Sequence, residues 1–232
     1  MARASASSKS AAPRRLPRGR HALAPDDVLR DQRERLIGAV PGVVAARGYG
    51  AMSVADIVKA AAVSRNAFYE NFADKEECFA VAHDVGHERL FAIVSQPCEA
   101  GGTIEDRVGA SLTAGLAALA GEPELARMIF VEAPAAGEKI ALRYHEWLRR
   151  YGTLLRAAAD GLPPEARPEP EIESVIAGGI ASRIAGEILE GRARGLPELI
   201  VPVQEYALAF YATGEPAAKT SPVARSQRRT AA

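Results

Sequence analysis

The chain has few of the residues needed for a disulfide framework, a membrane span or a strongly basic surface. Its 232 residues include two cysteines, one tryptophan and 29 basic side chains balanced by 29 acidic ones. Two cysteines do not make a framework, and a reducing compartment keeps them as thiols. No run approaches the roughly 18 consecutive apolar residues of a spanning helix, and the N-terminus lacks a signal-peptide core. We therefore expect a cytoplasmic protein with no membrane partner.

The sequence also lacks the common catalytic motifs. It has no phosphate-cradling Gly-Lys loop, no nucleophile elbow, no HExxH and no dinucleotide fingerprint. Cys78, His83 and His87 have helical spacing, and two histidines one turn apart can share a metal. Cys78 is out of line with His83, however, and no fourth ligand is fixed, so we expect solvated or capping histidines. The prediction is a protein that is not an enzyme and has no metal and no cofactor.

What the sequence does contain is a stretch from residue 49 to 79 that encodes two short helices joined by a tight turn. Ser53 is an N-cap candidate, and Asp56 follows it at capping-box spacing. Ser64 offers a second N-cap within about one turn of the end of the first helix. Only a bent helix pair fits this spacing. Proteins read the DNA major groove with such a pair.

The second of these helices has an apolar side and a polar side. Phe68 and Phe72, one turn apart, are expected to face inward. The other side chains near its N-terminal half suit DNA: Arg can pair with guanine, Asn with adenine, Ala can touch a thymine methyl, and Tyr can donate to a phosphate. Singly each is also an ordinary surface residue, but jointly with the caps and the turn they favour DNA reading. The candidates are Arg65, Asn66, Ala67, Tyr69 and Glu70.

The segment VSRNAFYENFADKEECF resembles the recognition helix and following helix of TetR-type transcriptional regulators. The specific resemblance covers roughly residues 28–80, and beyond it only the helical architecture is similar. The family usually has glycine where this chain has Ala62, and a positive φ there would cost alanine about 1 kcal/mol. The resemblance implies groove-facing positions at Ser64, Arg65, Asn66, Ala67 and Tyr69, and phosphate-contacting positions at Ser53, Asn71 and Lys75.

The expected fold is all-α, with an N-terminal three-helix helix-turn-helix domain followed by a larger helical ligand-binding and dimerisation domain. The first helix opens at Pro25, is bent at Pro41 and ends with Gly48 at C′. Pro- and Gly-rich turns divide the rest. The later helices are predicted at Asp74–Val94, Thr103–Ala120, Pro123–Ala133, Glu138–Ala159, Glu171–Arg194 and Pro197–Tyr211.

Four segments are predicted: a basic tail (1–25), a DNA-binding domain (26–80), an effector-binding and dimerisation domain (81–214) and a second tail (215–232). Both tails are expected to be disordered alone. The first tail has six basic residues and no acidic one, whereas residues 26–80 have seven basic and nine acidic residues. The tail either adds phosphate or minor-groove contacts or is a solvated leader.

Small residues between Val175 and Leu189 indicate a close helix–helix interface. The resemblance implies that the last two long helices form a four-helix bundle with a second copy, which gives a homodimer. Its operator would be double-stranded DNA with an approximate inverted repeat, with half-sites roughly 34–36 Å apart. The alternative is that the glycines of this stretch pack within one chain.

The middle helices contain large apolar residues with a few polar tips. These residues either fill the core or line a cavity for an effector. By resemblance, a small apolar or amphipathic effector would displace the helix that begins at Asp74 and release a repressor from DNA. The alternatives are a DNA-binding dimer without an effector and a small helical enzyme. The candidate cavity residues are Met128, Phe130, Tyr144, His145, Trp147 and Tyr151.

Overall fold

A computed structural model describes residues 25–211, and every regular element in that range is helical. The predicted all-α fold is confirmed, whereas the two predicted tails lie outside the described residues. Within the same range no helix is long and apolar enough to cross a membrane. The α-helices are α1 (Pro25–Ala51), α2 (Val54–Ala61), α3 (Arg65–Asn71), α4 (Lys75–Glu99), α5 (Ile104–Gly121), α6 (Pro123–Arg127), α7 (Glu138–Ala158), α8 (Pro170–Leu189) and α9 (Ile200–Leu208).

Shorter helical turns connect the later helices. A π-helical turn, Met128–Glu132, and a 3-10 turn, Ala133–Ala135, follow α6 where one continuous helix to Ala133 was predicted. Two more 3-10 segments, Pro164–Ala166 and Ala193–Leu199, precede α8 and α9. The irregular geometry after α6 therefore lies in the middle of the chain, where the periodicity of the sequence suggested a regular helix.

The first helix leaves helical geometry at Gly48. Its φ and ψ there are 74° and 155°, which matches the expected role of this glycine at the helix end. The helical assignment continues through Pro41, where a bend was predicted. Asp26 and Asp27 lie in the first turn, where carboxylates suit the positive end of the helix dipole.

Both N-caps of the helix-turn-helix are formed as predicted. Ser53 Oγ accepts from the Asp56 N–H at 3.3 Å, and the Asp56 carboxylate accepts from the Ser53 N–H at 3.1 Å. Ser64 Oγ accepts from the Ala67 N–H at 3.0 Å. Each short helix therefore begins at a fixed residue, which sets the angle between them.

The turn between α2 and α3 depends on Ala62, whose φ of 53° and ψ of 45° are left-handed. Among the non-glycine residues from 25 to 211 it alone has a positive φ. The Arg35 guanidinium of α1 donates to the carbonyls of Ala61 at 2.6 Å and Ala62 at 2.5 Å. These bonds satisfy carbonyls that the end of α2 leaves without helical partners, so α1 holds the turn in place.

The first three helices share one continuous apolar core with residues of the middle and later helices. Phe68 and Phe72 are buried as predicted, and Arg33 stacks on the Phe72 ring at 4.4 Å. Phe79 of α4 belongs to the same cluster, which continues through Met128 and Ile129 into the middle helices. Helix α4 therefore belongs to both parts of the molecule.

Two long helices end about five residues from their predicted ends. Helix α4 passes Pro97 and ends at Glu99, because Pro97 is in the last turn and Cys98 remains buried against α5. Helix α8 ends at Leu189, where the Gly191 N–H bonds the Ile188 carbonyl and the next N–H bonds the Glu187 carbonyl. With Gly191 at a φ of 76° this is a Schellman cap.

Replacing Ala62 by glycine should raise the free energy of unfolding by up to about 1 kcal/mol, because glycine removes the left-handed strain but gains freedom in the unfolded chain. Urea denaturation of the full chain measures the change. Ala60→Gly is the matched control, since Ala60 is an exposed helical alanine two residues earlier. There the same change should lower the free energy by roughly 0.5–1 kcal/mol. Destabilisation by both variants would contradict strain at Ala62.

Candidate functional site

The exposed side of α3 brings most of the predicted DNA-reading residues together. The exposed residues are Ser64, Arg65, Asn66 and Tyr69, and 49% of the surface of Tyr69 is accessible. Arg65 Nη2 donates to Tyr69 Oη at 3.3 Å, and its guanidinium carbon lies 5.7 Å from the Tyr69 ring centroid. These groups form one polar surface on a helix whose opposite side is fixed in the core.

Ala67 does not belong to this surface, because it is only 4% exposed. The predicted contact of its methyl group with thymine is not available in this conformation. Ala67 and Phe68 both face the core, so the apolar arc of this seven-residue helix is wider than the phenylalanine spacing indicated. Asn71, a predicted phosphate contact, is half-buried and donates its amide to the Ala67 carbonyl at 2.8 Å.

Lys75 has a different position from the predicted one. Its ammonium donates to the carbonyls of Tyr49 at 3.2 Å, Gly50 at 3.3 Å and Met52 at 2.9 Å. A lysine has three donors, so these bonds use them all. The carbonyls beyond Gly48 have lost their helical partners, and Lys75 supplies the replacement. In this conformation the residue ties α4 to the end of α1 instead of presenting a charge to a phosphate.

Ser53 remains on the surface beside the turn. Its hydroxyl donates to Asp56 Oδ2 at 2.6 Å, and Asp56 also pairs with Arg47 at 3.1 Å. The predicted DNA-binding residues that are exposed in the structure are therefore Ser53, Ser64, Arg65, Asn66 and Tyr69.

A narrow cavity of about 110 Å³ lies between α4, α5, α7 and α8. Its walls are apolar except for Cys98, Ser111 and Tyr151. On α5 the wall extends from Val108 to Leu119, which is roughly 16 Å at 1.5 Å per residue. The lining residues therefore follow the helices over several turns. Burial raises the pKa of the Cys98 thiol, which donates to Ser111 Oγ at 3.3 Å.

Only two of the six predicted cavity residues, Phe130 and Tyr151, line this cavity. Met128, Tyr144 and Trp147 are buried outside it. His145 is exposed, because it follows Tyr144 by one residue and so points about 100° away around the helix. The walls formed by α4 and α5 were not predicted from the sequence. The spacing of Leu90, Val94 and Cys98 at successive helical turns was the available signal.

Two histidines predicted to be solvated or capping are fully buried on α4. The His83 and His87 ring centroids are 4.5 Å apart. His87 stacks on Trp147 with 4.8 Å between the ring centroids and an angle of 9° between the ring planes. His87 Nδ1 lies 3.0 Å from Tyr151 Oη. Burial, with the neighbouring His83, lowers the pKa of His87 to about 2. His87 is therefore neutral at physiological pH.

Asp84 connects this aromatic group to α7. It accepts from Trp147 Nε1 at 3.2 Å, pairs with Arg143, and lies 3.4 Å from His83 Nδ1. These donors outweigh burial, so the pKa of Asp84 is lowered. Across residues 25–211, no three His, Cys, Asp or Glu side chains are grouped so as to hold a metal ion.

Comparison with known proteins agrees with this geometry. The family model for bacterial regulatory proteins of the tetR family matches residues 42–82, from the second half of α1 into α4. The resemblance given from the sequence is confirmed over that segment. No curated protein is similar enough in sequence to match the chain.

Several solved structures share the fold. The fatty acid degradation regulator FadR from Bacillus halodurans has 20% identity and a TM-score of 0.67, covering 76% of this chain and 94% of that one. FadR from Bacillus subtilis, in complex with stearoyl-CoA, has 16% identity and a TM-score of 0.66, covering 76% and 97%. A TetR family regulator from Marinobacter aquaeolei VT8 has 20% identity and a TM-score of 0.60, covering 80% and 98%.

The neutral state of buried His87 should make stability fall between pH 7 and pH 5. As the pH decreases below about 6.5, His87 becomes protonated in the unfolded chain but stays neutral in the folded chain. The free energy of unfolding therefore drops by about 2 kcal/mol at pH 5. Urea denaturation at pH 7.5 and 5.0 measures this difference. His87→Phe keeps the stack on Trp147 and should reduce the loss, whereas the exposed control His145→Gln should not. If the free energy of unfolding of His87→Phe decreased by as much as that of the unmodified protein, the pH dependence would belong to other groups.

Proposed function

We propose that this chain, which has the helix-turn-helix domain of the TetR family and the fold of TetR-type regulators, is a sequence-specific transcriptional regulator released from DNA by a small effector. The observation that carries the proposal is the exposed polar side of α3, set by the caps at Ser53 and Ser64. Regulators of this family are generally binding proteins, so we propose no catalytic step.

The proposed groove-facing residues are Ser64, Arg65, Asn66 and Tyr69, with Ser53 near a phosphate. Arg65 has the planar donor pair that fits guanine O6 and N7, and Asn66 the amide that fits adenine. The Arg65–Tyr69 contact orients the guanidinium before DNA arrives, which lowers the entropy lost on binding. The predicted domain limits, 26–80 for reading and 81–214 for regulation, remain part of this proposal.

A homodimer is proposed from the outer faces of α8 and α9. Val175, Leu189 and Val201 are each more than half exposed, which is unusual for such side chains on two adjacent helices. One predicted interface glycine packs within the chain instead, because Tyr206 lies directly over Gly179. Two copies related by a two-fold axis would place two α3 helices in successive major grooves, about 34–36 Å apart. The operator is then an approximate inverted repeat.

The proposed effector is an elongated apolar molecule such as an acyl chain. The cavity runs roughly 16 Å along α5 and offers only hydroxyl and thiol groups among its apolar walls. The complex of the Bacillus subtilis regulator with stearoyl-CoA supports the same chemistry. At about 110 Å³ the cavity is smaller than the 300 Å³ or more of typical ligand sites, so a ligand must move its walls. Repression is proposed because a dimer on a promoter excludes polymerase.

Arg65→Ala should weaken operator affinity by about 1–3 kcal/mol, since a bidentate arginine–guanine pair is lost. The operator is first selected by the full chain from random duplexes, and affinity is measured by fluorescence anisotropy at physiological salt against a shuffled duplex. We expect at least about a thousandfold preference for the selected site and two chains per inverted repeat.

Arg149→Ala is the matched control for that titration. It removes the same exposed side chain from α7, far from α3 in the sequence, and should leave both affinities unchanged. Equal binding to selected and shuffled DNA would remove the regulator proposal. Equal losses in both variants would show only a general effect of positive charge.

Filling the cavity should block the effector while leaving DNA binding intact. Ala177 is buried in the cavity wall, and Ala177→Leu adds three carbons there. We expect its stearoyl-CoA affinity to fall at least about tenfold, and the melting temperature to decrease modestly because overpacking costs about 1–3 kcal/mol. Calorimetric titration and operator anisotropy measure the two affinities. Exposed Ala157→Leu is the control, and no stearoyl-CoA binding by the unmodified protein would favour the effector-free dimer.

A further inference from the structure

The carboxylate of Glu132 joins the helix-turn-helix to the rest of the protein. Its Oε2 accepts from the backbone N–H of Tyr49 at 2.9 Å, and its Oε1 accepts from Arg127 Nε at 3.1 Å. The side chain is only 13% exposed. Among the hydrogen bonds within residues 25–211, only the bond from the Tyr49 N–H to Glu132 connects residues 25–74 with residues 100–211.

The residue that Glu132 holds, Tyr49, directly follows Gly48, where α1 leaves helical geometry before the chain reaches α2. Gly48, just before it, has a positive φ, and a Cβ built on that glycine would lie 3.5 Å from Glu132 Oε2. The Tyr49 ring packs edge-on against Phe79 at 4.8 Å, and the Tyr49 carbonyl accepts from Lys75. Fixing the Tyr49 amide therefore fixes the direction in which α2 and α3 leave α1.

Glu132 is the last residue of the π-helical turn that also forms one wall of the cavity. Phe130, two residues earlier, lines the cavity, and its ring lies 6.3 Å from His87. The turn is closed by the Ala133 N–H, which donates to the Met128 carbonyl. A π turn holds one extra residue, and such turns often occur at functional sites. Relaxation of the turn to α geometry would change the direction of the Glu132 side chain relative to Met128.

We propose that Glu132 is a positioning residue, which orients the helix-turn-helix through Tyr49 and loses that contact when a ligand displaces Phe130 from the cavity wall. The inference rests on the proposed function and names its regulation. The ligand contacts the π-helical turn at Phe130, and the same turn is bonded to the DNA-reading domain through Glu132. Displacement of Phe130 therefore moves Glu132 through the backbone of this turn, with no need for a longer path.

Three variants of the full chain test the inference. Glu132→Ala removes both acceptors, Glu132→Gln keeps an oxygen for the Tyr49 N–H but not the charge for Arg127, and Glu124→Gln is the matched control. Glu124 is an exposed acid of α6 that also faces α1, near Gly42. Operator affinity is measured with and without stearoyl-CoA, and stearoyl-CoA affinity is measured without DNA.

We expect Glu132→Ala to bind stearoyl-CoA with an affinity within about twofold of the unmodified protein, because the carboxylate does not line the cavity. Its operator affinity without ligand should be about tenfold weaker, and the further effect of stearoyl-CoA should shrink to under about twofold, since the coupling is already lost. Glu132→Gln should be intermediate, and Glu124→Gln should match the unmodified protein. Full release by stearoyl-CoA in Glu132→Ala would overturn the inference.

Hydrogen exchange of the Tyr49 amide supplies a test without ligand or DNA. Phe130→Ala relaxes the turn from the cavity side, and the Tyr49 amide should then exchange about tenfold faster, a change of the size expected for coupled sites. Amides in the core of α5 should keep their rates, which separates positioning from general destabilisation. An unchanged Tyr49 rate overturns the inference even if no acyl-CoA binds. Failure of operator selection by the unmodified protein, with a faster Tyr49 rate in Phe130→Ala, would instead remove the proposed function.

Discussion

The structure depends on the packing of α4 against two partners at once. At its N-terminal end Lys75 and Phe79 hold the end of α1, through three carbonyls and the Tyr49 ring. One turn beyond Phe79, His83 begins the aromatic group that continues through His87 to Trp147. Because the buried side of the helix is occupied along this length, it cannot shift at one end without disturbing the other. The same helix therefore contacts the end of α1 and forms one wall of the cavity.

The buried histidines explain why this packing is specific. Each ring has one nitrogen directed at a partner, Tyr151 for His87 and Asp84 for His83. The Nε2 atoms of both rings have no hydrogen-bond partner among the described residues. Leaving such groups buried is unfavourable, and the flat stack on Trp147 offsets part of that cost. An aliphatic core of the same volume would pack in several ways, whereas these partners fix the register of α4 against α7.

Features that depend on neighbours in the sequence were predictable. The caps at Ser53 and Ser64, the glycine at residue 48 and the burial of Phe68 follow from spacing alone, because each is decided within one or two turns. Ala67 was misplaced because the width of a buried arc depends on what packs against it. The bonds of Lys75 were not predictable because its partners are carbonyls about 25 residues away, and the sequence carries no sign of them. The cavity walls on α4 and α5 and the π turn likewise depend on how distant helices meet.

The engagement of Lys75 with the end of α1 bears on how the protein would search a genome. Each phosphate neutralised on double-stranded DNA releases counterions and steepens the fall of affinity with salt, with a slope of about −0.9 per contact. A lysine whose three donors bond backbone carbonyls contributes nothing to that release. Residues 26–80 also have more acidic than basic side chains. The helix-turn-helix itself would therefore add little to the attraction for arbitrary DNA, and retention on non-operator sequence would depend on basic residues outside 26–80.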